Sequence, residues 1–269
     1  MTMLQLQQLT IGHGTTALTA PLTATLPVGT LTALVGRNGC GKSTLLRTLA
    51  GLHEPLSGEV RVGQRVVAQL SSQQRAREFA LVLTDRTPPP LLTVTQLVAL
   101  GRRPHTSWLG GFCSVDHAVV EAAMAECGVL SFADRPLTTL SDGERQRAMI
   151  ARALAQATPL ILLDEPTAFL DFPAKVETLS LLSRIAREQQ KTILLSTHDL
   201  EITFQLADRL WLLHDRRLYE GTPKALADAG ILGRTFTSDA LTFDVETLRF
   251  ERAPLPEASP FVHPSSSDL

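Results

Sequence analysis

Polar and apolar residues alternate at the start of the chain. In "LQLQQLTIG", residues 4–12, leucines recur between Gln and Thr with a period near two, which predicts a half-buried strand. "LTALVG" (31–36) is short and apolar throughout, as expected of a strand covered on both faces. A helix is predicted over "KSTLLRTLAGL" (42–52), and "GEVRVGQRVV" (58–67) breaks at Gly63 like a hairpin, so an antiparallel β lobe opens the chain. The polar stretch "SSQQRARE" (71–78) predicts a helix and "FALVLT" (79–84) another strand. From "DRTPPPLLTVTQLVALGRRPH" through "DHAVVEAAMAECGVL" to "DGERQRAMIARALAQ" the period lengthens to that of helices, with a Gly- and Trp-containing loop at "TSWLGGFC". This marks a helical subdomain over about residues 86–157. Then "LILLDE", "TILLSTHD" and "RLWLLHD" return as short apolar runs, separated by the helical "AKVETLSLLSRIAREQQ". That order predicts an α/β fold whose sheet is mostly parallel. One domain over residues 1–252 is expected, with a disordered Pro- and Ser-rich tail over 253–269, "APLPEASPFVHPSSSDL".

Composition narrows the function classes. A chain of 269 residues with 25 basic and 27 acidic side chains and a net charge of −2 has no basic field, so nucleic acid is not expected as its partner. No apolar run approaches the roughly 18 residues of a membrane span and no signal-peptide layout opens the chain, which predicts a cytoplasmic protein. Cys40, Cys113 and Cys127 are too few and too irregularly spaced for a disulfide framework or a zinc site.

The chemistry is concentrated in two places. Gly36-Arg37-Asn38-Gly39-Cys40-Gly41-Lys42-Ser43-Thr44 follows a buried strand, opens a helix and matches the P-loop of ATPases. Its glycines let successive backbone N–H groups turn inward around a phosphate chain, Lys42 brings a positive charge to the β and γ groups, and Ser43 offers a hydroxyl to Mg²⁺. The following helix points its positive end at the same place. Cys40, beside Lys42 and a helix N-terminus, is expected to have a lowered pKa and raised reactivity. The second place is "LILLDE", where a buried strand ends in Asp164 and Glu165, the edge at which α/β proteins bind ligands. Asp164 suits an outer ligand of Mg²⁺, and Glu165 suits a group that orients or deprotonates the attacking water.

"GRNGCGKST", "LSDGERQ", "LILLDEPTAFLD" and "LLSTHD" occur in an order and spacing that resemble the nucleotide-binding subunits of ATP-binding cassette (ABC) transporters, over about residues 3–225. "LSDGERQ" is the most specific element, because it is similar to the signature of that family alone. The resemblance implies MgATP held between two copies of the chain, with Ser141 and Gly143 of one touching the γ-phosphate on the P-loop of the other. Ser141 with Glu144 also reads as a capping box, and both roles are compatible at a helix N-terminus. Asp142 stands where the family has glycine and is tolerable only if it points away from the phosphates. The resemblance also assigns His198 to the switch position at the γ-phosphate and Asp171 to a reach across the dimer interface. Asp171 reads independently as a helix N-cap before Pro173.

Two positions depart from the family's pattern. No Phe, Tyr or Trp occurs in residues 1–35, which leaves His13 as the ring near adenine. Thr84 stands where a Gln normally touches Mg²⁺, with Asp85 beside it as the alternative. The resemblance further implies a separate integral membrane permease, served indirectly by a substrate-binding protein, with this chain on the cytoplasmic face of the inner membrane. "LVALGRRPH" and "EPTAFLDFP" are similar to the branch importing ferric siderophores, haem or cobalamin. The rivals are a soluble ABC ATPase acting on ribosomes or nucleic acid, which usually carries two cassettes or a coiled-coil insertion, and another P-loop motor, which would lack "LSDGE".

Overall fold

The N-terminal alternation does form a strand. In the computed structural model, which describes residues 2–83, 92–106, 111–238 and 240–253, β1 (Thr2–Thr10) buries Leu4, Leu6 and Leu9 and leaves Gln7 and Gln8 exposed. The short strands β2 (Gly12–His13) and β3 (Thr16–Ala17) pair with each other, followed by β4 (Leu22–Pro27) and the fully buried β5 (Leu31–Gly36). The phosphate loop leads into α1 (Lys42–Leu49), then the hairpin β6 (Ser57–Val62) and β7 (Arg65–Val66), α2 (Ser72–Glu78) and β8 (Phe79–Val82).

Among the described residues, three α-helices lie between β8 and the next strand of the sheet: α3 (Val94–Ala99), α4 (Ser114–Glu126) and α5 (Asp142–Ala155). Their starts are written locally. Thr93 with Gln96 and Ser141 with Glu144 form reciprocal capping boxes, as Ser71 with Gln74 does for α2. The chain returns through β9 (Leu160–Leu163), α6 (Phe172–Glu188), β10 (Thr192–Ser196), α7 (Leu200–Leu206), β11 (Arg209–His214) and β12 (Arg217–Gly221). It closes with α8 (Pro223–Asp228), α9 (Ile231–Phe236) and the hairpin β13 (Leu241–Asp244) and β14 (Arg249–Arg252).

Besides the two-stranded pairs β2–β3 and β13–β14, one sheet of the described residues is antiparallel in the order β4-β1-β6-β7, and a second runs β12-β11-β5-β10-β9-β8. The second sheet is parallel except for its edge strand β12. Successive residues of β5 explain its lack of polar positions. Ala33 and Val35 pack on the side of Leu179, Leu182 and Ile185 from α6, whereas Leu34 packs with Leu45 and Leu46 of α1 and with Leu4 and Leu6 of the β lobe. Each buried Leu side chain there stabilises the fold by about 1.5–3 kcal/mol. Opening a cavity with Leu34→Ala would cost about 2–5 kcal/mol. With both faces covered, the carboxyl edge of the sheet is left as the surface on which β5, β9 and β10 present their terminal residues.

Candidate functional site

β5 ends at Gly36 and the loop turns at once. A side chain on Gly36 would put its Cβ 2.6 Å from the carbonyl oxygen of Leu213, so only glycine fits. Gly41 caps α1 in the left-handed region at φ 103, with no side-chain cap and no acidic residue in the first turn. The N–H groups that begin α1 therefore face the loop without a side-chain acceptor, as an anion requires. Lys42 Nζ donates to the carbonyls of Gly36 at 2.9 Å and Arg37 at 3.3 Å, within the same loop. Burial pushes its pKa down, and the charges of Glu165 and Asp164 act in the opposite direction.

The acidic pair lies where the strand order brings it, next to the phosphate loop. Ser43 Oγ donates to Asp164 Oδ1 at 3.1 Å, and Ser196 Oγ donates to the same oxygen at 2.7 Å. Ser196 Oγ also accepts from the backbone N–H of Glu165 at 2.9 Å. One hydroxyl at the end of β10 thus fixes both carboxylate residues at the end of β9. Glu165 sits at φ 49, which turns its side chain out of the strand, and its Oε1 lies 2.8 Å from His198 Nε2.

Ser196 was not anticipated from the sequence, although a single polar residue closing the apolar "TILLS" was a signal. Nor was the network around Asp199. Its carboxylate accepts from Thr167 Oγ1 at 2.6 Å and from Lys175 Nζ at 2.5 Å, tying the segment after His198 to the turn after Glu165 and to α6.

At the other end of the loop, His13 Nε2 lies 3.3 Å from Thr44 Oγ1. A second imidazole, His53, meets it edge to face at 5.3 Å and donates from Nε2 to the carbonyl of Gly12 at 2.7 Å. The ring end of the site therefore holds two imidazoles.

Ser141 and Gly143 open α5, and Asp171 caps α6 through a bond from the backbone N–H of Ala174 at 3.0 Å. A Cβ on Gly143 would lie 3.4 Å from the Ala174 Cβ, so these two helix starts are neighbours. Among the described residues, no hydrogen bond joins Ser141, Gly143 or Asp171 to residues 36–44. Asp142 is exposed and ion-paired to Arg145 on its own helix. The backbone N–H of Ser141 holds the Glu144 carboxyl below its ordinary pKa.

The Cys40 thiol is pushed up, not down: it is half-buried, and desolvation of the thiolate outweighs the attraction of Lys42. Thr84 and Asp85, with most of the Pro- and Ser-rich tail, lie outside the described residues.

Residues 19–168 match the family described as "ABC transporter", a span that includes the phosphate loop, Ser141 and the acidic pair. The petrobactin import ATP-binding protein of Bacillus anthracis is 38% identical over 234 residues, which cover 87% of this chain and 86% of that protein. The ferric enterobactin transport ATP-binding protein of Escherichia coli (strain K12) is 38% identical over 239 residues, 88% of each chain. A dimeric, post-hydrolysis structure of the ATP-binding cassette MJ0796 bound to ADP and Pi superposes with a TM-score of 0.70 at 26% identity, covering 82% of this chain and 99% of that one.

Proposed function

This chain belongs to the ABC transporter family as an ATP-hydrolysing importer subunit, and we propose that two copies of it bind MgATP and drive a separate membrane permease that imports a ferric siderophore. The observation that carries the catalytic part is the convergence of Ser43, Ser196, Asp164, Glu165 and His198 beside the phosphate loop.

The residues present fit Mg²⁺. Ser43 Oγ and Asp164 Oδ1 are two hard oxygen donors 3.1 Å apart, and Mg²⁺ is usually held by one or two carboxylates together with substrate phosphates. Among the described residues no three His, Cys, Asp or Glu side chains form a metal cluster of their own, which agrees with a cation that arrives with the nucleotide. Bound there, Mg²⁺ supplies neutralisation of phosphate charge.

The chain's own side chains do the rest. Lys42 leaves the carbonyls of Gly36 and Arg37 and donates to the β- and γ-phosphate oxygens. Glu165 orients a water for in-line attack on the γ-phosphorus and takes its proton at the carboxylate, while the bond from phosphorus to the β–γ bridging oxygen breaks to leave ADP and phosphate. His198, whose Nε2 lies beside the Glu165 carboxylate, reaches the γ-phosphate by family resemblance. Ser141 and Gly143 of the second copy close the site, with Asp171 at the interface; the absence of hydrogen bonds from these three to their own phosphate loop favours action in trans. His13 faces the base.

For the permease, a groove lined by Leu52, Phe79, Leu81, Leu83 and Met149 and flanked by Arg75 and Arg152 lies among the end of α1, α2, β8 and α5. No helix among the described residues is long and apolar enough to cross a membrane, so attachment at the cytoplasmic face would be through the permease, with a substrate-binding protein delivering cargo from outside. The siderophore assignment is supported by the names of the petrobactin and ferric enterobactin relatives.

Affinity purification of the tagged chain from detergent-solubilised membranes tests the reading. It should bring down a polytopic membrane protein whose presence makes uptake of a ferric siderophore depend on ATP. Recovery with ribosomes or nucleic acid, and with no membrane protein, would favour the soluble alternative.

A further inference from the structure

We propose that the carboxyl-terminal hairpin β13–β14 is a positioning element for His198, acting through α7, with Glu201 and Phe250 as the residues that couple them. This rests on His198 being the switch residue of the hydrolytic site.

His198 is followed almost immediately by α7, which begins at Leu200 and is only seven residues long. A helix that short has no orientation of its own in water, so packing must supply it. Its N-terminal end is held by the Asp199 carboxylate on Thr167 and Lys175 and by Thr203 Oγ1, which donates to the Asp199 carbonyl at 2.6 Å. Further along, the hairpin takes over. The backbone N–H of Phe250 donates to Glu201 Oε1 at 2.9 Å. Phe204 of α7, 4% exposed, meets the ring of Phe243 edge-on at 6.0 Å and that of Phe250 at 6.4 Å.

The hairpin is in turn fixed by the same rings. Phe243 and Phe250 are cross-strand partners with centroids 5.1 Å apart, and Phe236 of α9 abuts Phe250 at 6.1 Å. A lone two-stranded hairpin is marginal in water, as is a seven-residue helix. The ring cluster makes each the support of the other. Because α7 leaves directly from the residue after His198, a tilt of α7 moves the imidazole relative to Glu165, whose Oε1 now lies 2.8 Å away. Small misplacements of a catalytic group carry large rate penalties.

The test is steady-state ATP hydrolysis by the full chain. Glu201→Ala and Phe250→Ala should each lower kcat roughly three- to tenfold and leave the KM for ATP within about twofold. Glu201→Gln, which keeps the accepting oxygen, should retain nearly the parent rate. In a His198→Ala background the same alanine replacements should change kcat by less than about twofold, because the residue they position is gone. An equal loss in both backgrounds would mean general loosening of the fold and would overturn the proposal, as would an unchanged kcat in the parent background. If Phe250→Ala does not fold, the Glu201 pair decides alone. A parallel Glu165→Gln control separates the two readings. If that variant is inactive while the hairpin variants are indifferent, only the hairpin proposal falls; if it hydrolyses ATP at the parent rate, the catalytic assignment falls and the hairpin proposal with it.

Discussion

The imidazole of His198 and the carboxylate of Glu165 meet at 2.8 Å across the ends of two adjacent strands, β10 and β9. The pair is held from behind by Ser196, whose hydroxyl binds both Asp164 Oδ1 and the N–H of Glu165. His198→Ala should therefore remove an orienting contact and lower kcat by roughly ten- to a hundredfold with nucleotide binding retained. Phosphate-release kinetics alongside a nucleotide-binding titration would check both halves of that statement.

Cys40 should alkylate slowly at neutral pH. Its thiol is raised by burial, so the reactive thiolate forms only above the ordinary thiol range, about 8.5. Iodoacetamide labelling followed from pH 7 to 10 should lag behind free cysteine and then climb, with ATP protecting. Labelling faster than free cysteine at pH 7 would restore the opposite expectation drawn from Lys42 and the helix end.

Acid sensitivity has an identifiable contributor. Arg102 Nε lies 2.8 Å from Asp116 Oδ1, both side chains are buried, and Arg102 also donates to the carbonyl of Ala155 at 2.9 Å. The Arg102 guanidinium, helped by Cys113, holds the Asp116 carboxyl down to about 2. The folded value lies below the ordinary value of about 3.9, so this stabilisation is present above pH 4 and is lost as pH falls from about 4 to about 2. The stability difference between the parent and Asp116→Asn, from urea melts, should be largest above pH 4 and shrink below it. A difference that does not vary with pH would contradict the assignment.

Much of this was legible in the sequence for physical reasons. β5 reads as buried because both of its faces are covered, and "LSDGERQ" reads as a helix start because Ser141 and Glu144 cap reciprocally. That residues 36–44 and the pair Asp164–Glu165 meet was legible as well, because few residue types suit the chemistry proposed for them, and Ser43 Oγ does lie 3.1 Å from Asp164 Oδ1. Residues 222–252 were opaque: α8 and α9 have six residues each and β13 and β14 four, too few for a period to emerge. His53 was missed because it stands 40 residues from His13 in sequence and meets it only through the fold. The direction of the Cys40 shift depends on burial, which neighbouring letters do not reveal.

Action in trans predicts a nucleotide-dependent dimer. Size-exclusion chromatography of Glu165→Gln with MgATP at high protein concentration should show a shift to two copies. Adding Ser141→Arg, which puts a bulky cation at the start of α5 and leaves the phosphate loop untouched, should abolish the shift and spare nucleotide binding. A dimer indifferent to Ser141→Arg would place the closing contact elsewhere.

The role of Glu165 is decided by the rate at which Glu165→Gln releases phosphate from saturating MgATP, measured against the parent chain. The substitution keeps size and hydrogen bonding and removes the charge that takes the proton of water. The expected rate is lower by roughly two to four orders of magnitude with ATP still bound; a parent-like rate would rule out Glu165 as the group that acts on the attacking water.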